Sequence, residues 1–219
     1  MNIFPKQEEV IDAVVAGLNK AKRNYSFWTS DELYLSNATE NFLTIHVAQE
    51  IAKIEDTPEI FIDATVSDIL RCSLPDRSAF KEFMKNKSIQ DRYLSITLDT
   101  RFKHRTDNDS ISKVIMSVRN GVRNAQEDYK NDIHLICKML ERSNKEDSTL
   151  DYGLFAFYLD ISNSARKDAK KRLEEIIKSF DEIVNSYENL KSSFKGGDIK
   201  KLEKIGEWCI GCYIIEHTL

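Results

Sequence analysis

Apolar positions recur along this chain with two periods, and the switches between them mark out its elements. Val10, Ile11, Val14, Val15 and Leu18 follow the 3.6-residue period of a helix, with Pro5 at its first position and Lys20-Ala21-Lys22-Arg23 closing it in positive charge. A second helix takes Asn37 as N-cap, with Glu40 three residues on in a capping-box arrangement, and carries Leu43, Val47, Ile51 and Ile54 on one face. Between them, residues 24–36 hold Phe27, Trp28, Leu33, Tyr34 and Leu35, large groups that the pattern assigns to packing rather than to a partner.

Period-2 alternation then takes over. Residues 59–66 read as a strand after Pro58, residues 78–86 as a short helix, and residues 92–98 as a second strand. In residues 112–119, Val114, Met116 and Val118 fall on one side and Ile115, Ser117 and Arg119 on the other, a strand with few exposed positions that Asn120-Gly121 stops. The helix that follows, 124–142, repeats Tyr129, Ile133, Ile136, Cys137 and Leu140 at helical spacing. Residues 152–159 form a strand placed beside 112–119 by a right-handed crossover through that helix. A long helix over 164–194 carries Ala169, Leu173, Ile176, Phe180, Val184, Tyr187 and Leu190, and Gly196-Gly197 ends it. A short helical stretch to Ile205 and a closing strand over 208–215 complete the chain. The strands at 92–98, 112–119, 153–159 and 208–215 are expected in one sheet, with helix 124–142 on one face and the long helix packed against it.

Composition narrows the class. Hydrophobic residues at 41%, charged residues at 31% and only 7 Gly and 3 Pro in 219 residues describe a helix-rich globular chain with one core, not a disordered one. The net charge of −4 argues against a surface that coats nucleic acid, although a local basic face remains compatible with it. No apolar run approaches the ~20 residues of a membrane span and the start is not a signal peptide, so a cytoplasmic protein without a membrane partner is expected. Cys72, Cys137, Cys209 and Cys212 suit reduced core thiols. Cys209 and Cys212 are three apart on a strand and so face opposite ways, which denies them a shared metal. His46, His104, His134 and His217 follow no spacing of nucleophile chemistry.

The order strand, strand, helix, strand over 92–159 resembles the core of the PD-(D/E)XK nuclease superfamily. In that family one strand carries an Asp, the next carries Glu-x-Lys, and a helix follows. Here the phrase is Val114-Ile115-Met116-Ser117-Val118-Arg119-Asn120-Gly121-Val122, the helix contains Lys130-Asn131-Asp132-Ile133, and the earlier strand has Ser95-Ile96-Thr97-Leu98 where the family writes Asp-Ile-x-Leu. Ser95 and Ser117 thus stand at the two acid positions, and Arg119 at the lysine. The resemblance implies an α/β, restriction-endonuclease-like fold: a central mixed sheet flanked by helices, with a helical extension over 1–36, a nuclease-like core over 37–160, and a long helix plus closing strand over 161–219, all one domain.

The departures decide the expected activity. A hydrolytic Mg²⁺ site needs anionic oxygens, which two serine hydroxyls do not supply, and a permanently charged guanidinium cannot act as a base. The expectation is a catalytically inactive, nuclease-like protein that uses no cofactor and acts by binding a protein partner, a second copy or nucleic acid, with a place in bacterial or phage defence or counter-defence implied by the resemblance alone. Arg101, Lys103 and Arg105, with Arg119 and Arg123, would then form a phosphate-facing rim. The alternative is an active Mg²⁺ nuclease whose acids have migrated to Asp63, Asp99 and Glu40 or Glu50. In either case Arg119, deprived of the family's carboxylate, needs an anion, for which Asp63, Asp99 or a ligand phosphate are the candidates.

Overall fold

The computed structural model describes residues 4–101, 110–202 and 205–218. In chain order the elements are α1 (Gln7–Trp28), α2 (Glu40–Ile51), β1 (Glu59–Thr65), α3 (Val66–Ser73), α4 (Phe80–Asn86), β2 (Tyr93–Asp99), β3 (Ser112–Arg119), α5 (Glu127–Leu140), β4 (Tyr152–Ser162), α6 (Ala169–Val184), β5 (Leu190–Gly196), β6 (Lys200–Leu202) and β7 (Gly206–His217). The strands make one mixed sheet in the order β1-β2-β3-β4-β7-β5, with β6 paired to β7 off that path. Among the described residues only β3 and β4 run parallel, with α5 as the connection between them, and the other strand pairings are antiparallel. The four strands expected to share a sheet do so.

Alternation along the strands splits the core into two layers. Val114, Met116 and Val118 of β3 pack with Val14 and Leu18 of α1 and Leu43 and Val47 of α2. Ile115 turns to the opposite face, where Ile133 and Ile136 of α5 meet Phe155 and Phe157 of β4 and Phe180 of α6. Cys209 and Cys212 separate as expected, one into each layer, and burial pushes both thiols up to about 12, so they are unionised core groups. Where α1 crosses α2, a Cβ on Gly17 would stand 2.5 Å from the Val47 Cα, so this crossing requires glycine. Among the described residues, no helix is long and apolar enough to cross a membrane.

Several boundaries differ from the sequence expectation, each for a local reason. The long helix is confined to Ala169–Val184: Asp168 caps it by accepting from the Lys171 N–H at 2.8 Å, and Asn189, at φ 62°, turns the chain into β5. Tyr187 and Leu190 therefore lie beyond the helix, and β5 gains a ladder along β7 that helical pattern alone does not reveal. The stretch before Ile205 contains a strand, β6, not a helix. Asn37 belongs to a 3₁₀ turn, Leu35–Asn37, and Thr39 is the residue that precedes α2, which frees Glu40 from capping. Helix α1 runs past Arg23 to Trp28, and Pro5 precedes its N-cap, Lys6. Phe27 and Trp28 are 84% and 66% exposed, contrary to the packing assigned to them, because the extended helix carries them beyond the sheet; Leu35 is fully buried.

Candidate functional site

Helix α5 sets its apolar stripe against the sheet, and one member of that stripe is an acid. Asp132 lies three residues after Tyr129 and next to Ile133, so the packing that buries Ile133 and Ile136 carries its carboxylate to the end of β3, where it is 2% exposed. Its Oδ2 accepts hydrogen bonds from Ser117 Oγ and from Arg119 Nε, both at 2.6 Å. Its Oδ1 stands 2.8 Å from Arg92 Nη2, and that guanidinium also donates to the Asn131 carbonyl at 3.1 Å. Arg119 then reaches across the end of the sheet and donates from Nη1 to Glu40 Oε2, 2.9 Å away on α2. One guanidinium thus joins a helix of one layer to a helix of the other.

The electrostatics of this cluster close on themselves. Two guanidiniums meet two carboxylates, and the Ser117 hydroxyl fills a remaining acceptor site on Asp132. Burial works against the Arg119 charge, but the hydrogen bond and field of Asp132, with Glu40 behind them, outweigh it and hold its pKa above the ordinary arginine value. The Tyr129 hydroxyl nearby is raised by burial and by the Glu40 charge. Ser95, on the neighbouring strand, accepts from the Val118 N–H at 3.0 Å and so does a backbone carbonyl's work. Opposite it, Asp63 sits in the left-handed region at φ 55°, and Leu94 and Ile96 turn into opposite layers although a regular strand would place them on one face. Both serines expected at the acid positions therefore serve the local fold.

The other sequence candidates are dispersed. Glu40 is the only proposed acid at this cluster; Arg119 pairs with it and with Asp132, not with Asp63 or Asp99. Asp99 is buried at the far end of β2, where it accepts from Ser110 Oγ. Asp63 and Asp99 line a cleft of about 570 Å³ with Asp68, Arg77 and Cys72. The Cys72 thiol there is raised by burial and by the Asp99 charge. Glu50 faces Lys20 and Lys53 near the other end of α2, at 2.8 and 2.6 Å, and its carboxyl is held below its ordinary value chiefly by the Lys20 hydrogen bond. Arg123 pairs with the buried Asp160 and with Ser36 Oγ, and Arg101 is exposed. Lys103 and Arg105 lie outside the described residues, so the proposed rim is not assembled from what is described.

Asp132 was within reach of sequence reasoning. An Asp at a stripe position of an amphipathic helix needs a cation or a donor when it is buried, and Arg119 ends the adjacent strand. Saturated by two guanidiniums and a hydroxyl, Asp132 is a poor ligand for a divalent cation, which would sit within a few ångströms of both positive groups. Among the described residues, no three His, Cys, Asp or Glu side chains converge closely enough to hold a metal ion. Comparison with protein-family models, with curated proteins and with solved structures finds no match for the chain.

Proposed function

We propose that the chain is a restriction-endonuclease-like protein that acts by binding and does not hydrolyse nucleic acid. The reading rests on one observation: Ser117 and Arg119, which stand at one acid position and at the lysine position of the resemblance, are both bound to the buried Asp132, whose two oxygens are taken up by Ser117, Arg119 and Arg92 rather than left to a metal and water. The run β2, β3, α5, β4, with β3 parallel to β4, supports the scaffold half of the reading, since it is the strand, strand, helix, strand order on which the resemblance stands. The competing reading, an Mg²⁺ nuclease with displaced acids, draws on Asp63 and Asp99 lining one cleft.

The test is incubation with supercoiled, linear and single-stranded DNA and with RNA, in Mg²⁺ and in Mn²⁺. No cleavage is expected from the wild-type chain. Cleavage that disappears in Asp99→Ala or Asp63→Ala, with an unchanged melting temperature, would establish the displaced-acid nuclease. Cleavage that disappears in Asp132→Asn would place chemistry at the cluster itself and overturn the proposal.

A further inference from the structure

A cleft of about 590 Å³ opens where α1 and α2 meet β6 and β7, and its lining is strongly one-sided in charge. Lys20, Lys22 and Arg23 reach it from α1, Lys53 from just beyond α2, and Lys200 from β6. Glu50 is the one carboxylate that lines it, and Lys20 and Lys53 both bind that group. Three cations remain. Arg23 is exposed and has no ion pair among the described residues. The Lys200 ammonium rests 5.0 Å from the centroid of the Trp208 ring and the Lys22 ammonium 5.2 Å from the same centroid.

Lys22 is the most telling of them. It is 5% exposed, it donates to Ser26 Oγ, and the carboxylate that faces it, Asp31, stands 3.7 Å away and is itself exposed. A buried ammonium with so distant an anion is held at a cost, and burial accordingly pushes its pKa down. Two ammoniums drawn to one indole repel each other as well. Nothing in the packing of α1 demands this: Lys22 occupies a position in line with Ile11, Val14 and Leu18, where an apolar residue would fold better.

We propose that this cleft binds a multiply charged phosphate ligand of nucleotide size, with Lys22, Arg23 and Lys200 as its charge-compensating contacts. The volume lies within the ~300–1,000 Å³ of small-molecule sites. Lysine supplies point charges for phosphate and arginine a two-pronged donor, and the three cations that Glu50 does not bind, one of them loosely faced by Asp31 at 3.7 Å, suit the charge of a diphosphate or larger phosphate group. Trp208 is largely buried beneath the two ammoniums, so recognition falls on the phosphates and not on a stacked base. A nucleic-acid backbone fits less well, because it calls for cations in a row along a surface, whereas these converge on one recess in a chain of net charge −4.

Isothermal titration calorimetry of the full chain with inorganic tripolyphosphate and with ATP, at low and moderate salt, tests this. One-to-one, salt-weakened binding of either probe is expected, and binding of ATP alone would place the ligand among nucleotides. Arg23→Glu should weaken binding by about tenfold or more while leaving the melting temperature unchanged, as should Lys200→Glu; if Arg23→Glu lowers the melting temperature, Arg23→Gln takes its place. No binding of either probe at millimolar concentration overturns the proposal. So does affinity indifferent to both charge reversals, and so does binding confined to single- or double-stranded oligonucleotides.

Discussion

Helix α2 presents one glutamate to each of two polar regions, and the two are built on opposite principles. Glu40, its first residue, completes a cluster in which Arg92 and Arg119 are matched by Asp132 and Glu40 itself. Glu50, near its last, is the single carboxylate in a recess lined by five cations. The first region has spent its charge inside the fold, and any ligand would have to displace a partner. The second holds charge in reserve. A buried charge closely matched by protein partners is evidence for structure, and one like Lys22, whose anion stands 3.7 Å off and is itself exposed, is evidence for something the chain binds.

The sharpest way to break this contrast is Asp132→Ala. It would leave Arg119, Arg92 and the Ser117 hydroxyl facing one another without their anion, and the loss of one member of a buried pair costs about 3–5 kcal/mol. The urea midpoint should fall accordingly with the denaturant slope unchanged. A loss under about 1 kcal/mol would mean that water reaches the cluster and compensates it, as at ordinary surface pairs, and the distinction between the two ends of α2 would lapse.

Arg119→Ala should cost less, about 2 kcal/mol, the scale of a hydrogen bond to a charged group. Asp132 would keep Arg92 and Ser117, and Glu40, which is partly exposed in the pair, would return to water. A double-mutant cycle on Arg119 and Asp132 isolates their coupling from the cost of the stranded partners. Equal losses in the two single variants would show that Arg92 does not share Asp132, and additivity across the cycle would dissolve the cluster into independent contacts.

How much of this could be read from sequence depends on which residues one considers. The strands read at 92–98, 112–119 and 152–159 declare themselves because they are rich in β-branched and aromatic residues, although the last runs on to Ser162, and the parallel β3–β4 pair follows from the intervening helix. The stripe of α6 was legible over 169–184, but its end was not, since Asn189 at φ 62° and the pairing of β5 with β7 are long-range outcomes that helical periodicity does not encode. At the site, Arg119 and Glu40 were legible as candidates and their joint partner was not. Asp132 and Lys22 share a signature that pattern-reading passes over: each is a charged residue in register with an apolar stripe. The sequence marks such a residue as an exception, and only the packing shows whether its counter-charge lies within the fold, as for Asp132, or stands well off, as for Lys22.

The smallest expected effect concerns pH and rests on two histidines that take no part in either region's ion pairs. His134 on α5 has its pKa lowered by burial and then by Lys138, against an opposing pull from Glu127 and with a smaller push from Lys130; its Nδ1 shares a hydrogen bond with the Tyr187 hydroxyl at 2.9 Å. His217 at the end of β7 is lowered by burial and by Arg142, against Asp151 and a backbone hydrogen bond at Asn189. In both, the folded value lies below the unfolded one, near 6.5. As pH falls past that value the unfolded chain takes up protons that the folded chain refuses, so the stability these groups contribute is whole above about pH 6.5 and is lost as pH drops through their folded values. The melting temperature should therefore decline between pH 7.5 and 5.5, before most carboxylates titrate. His134→Gln and His217→Gln together should flatten that decline, because glutamine carries no proton to refuse. A decline equally steep in the double variant would assign it to other groups, and a melting temperature that rises on acidification would reverse the sign of the argument.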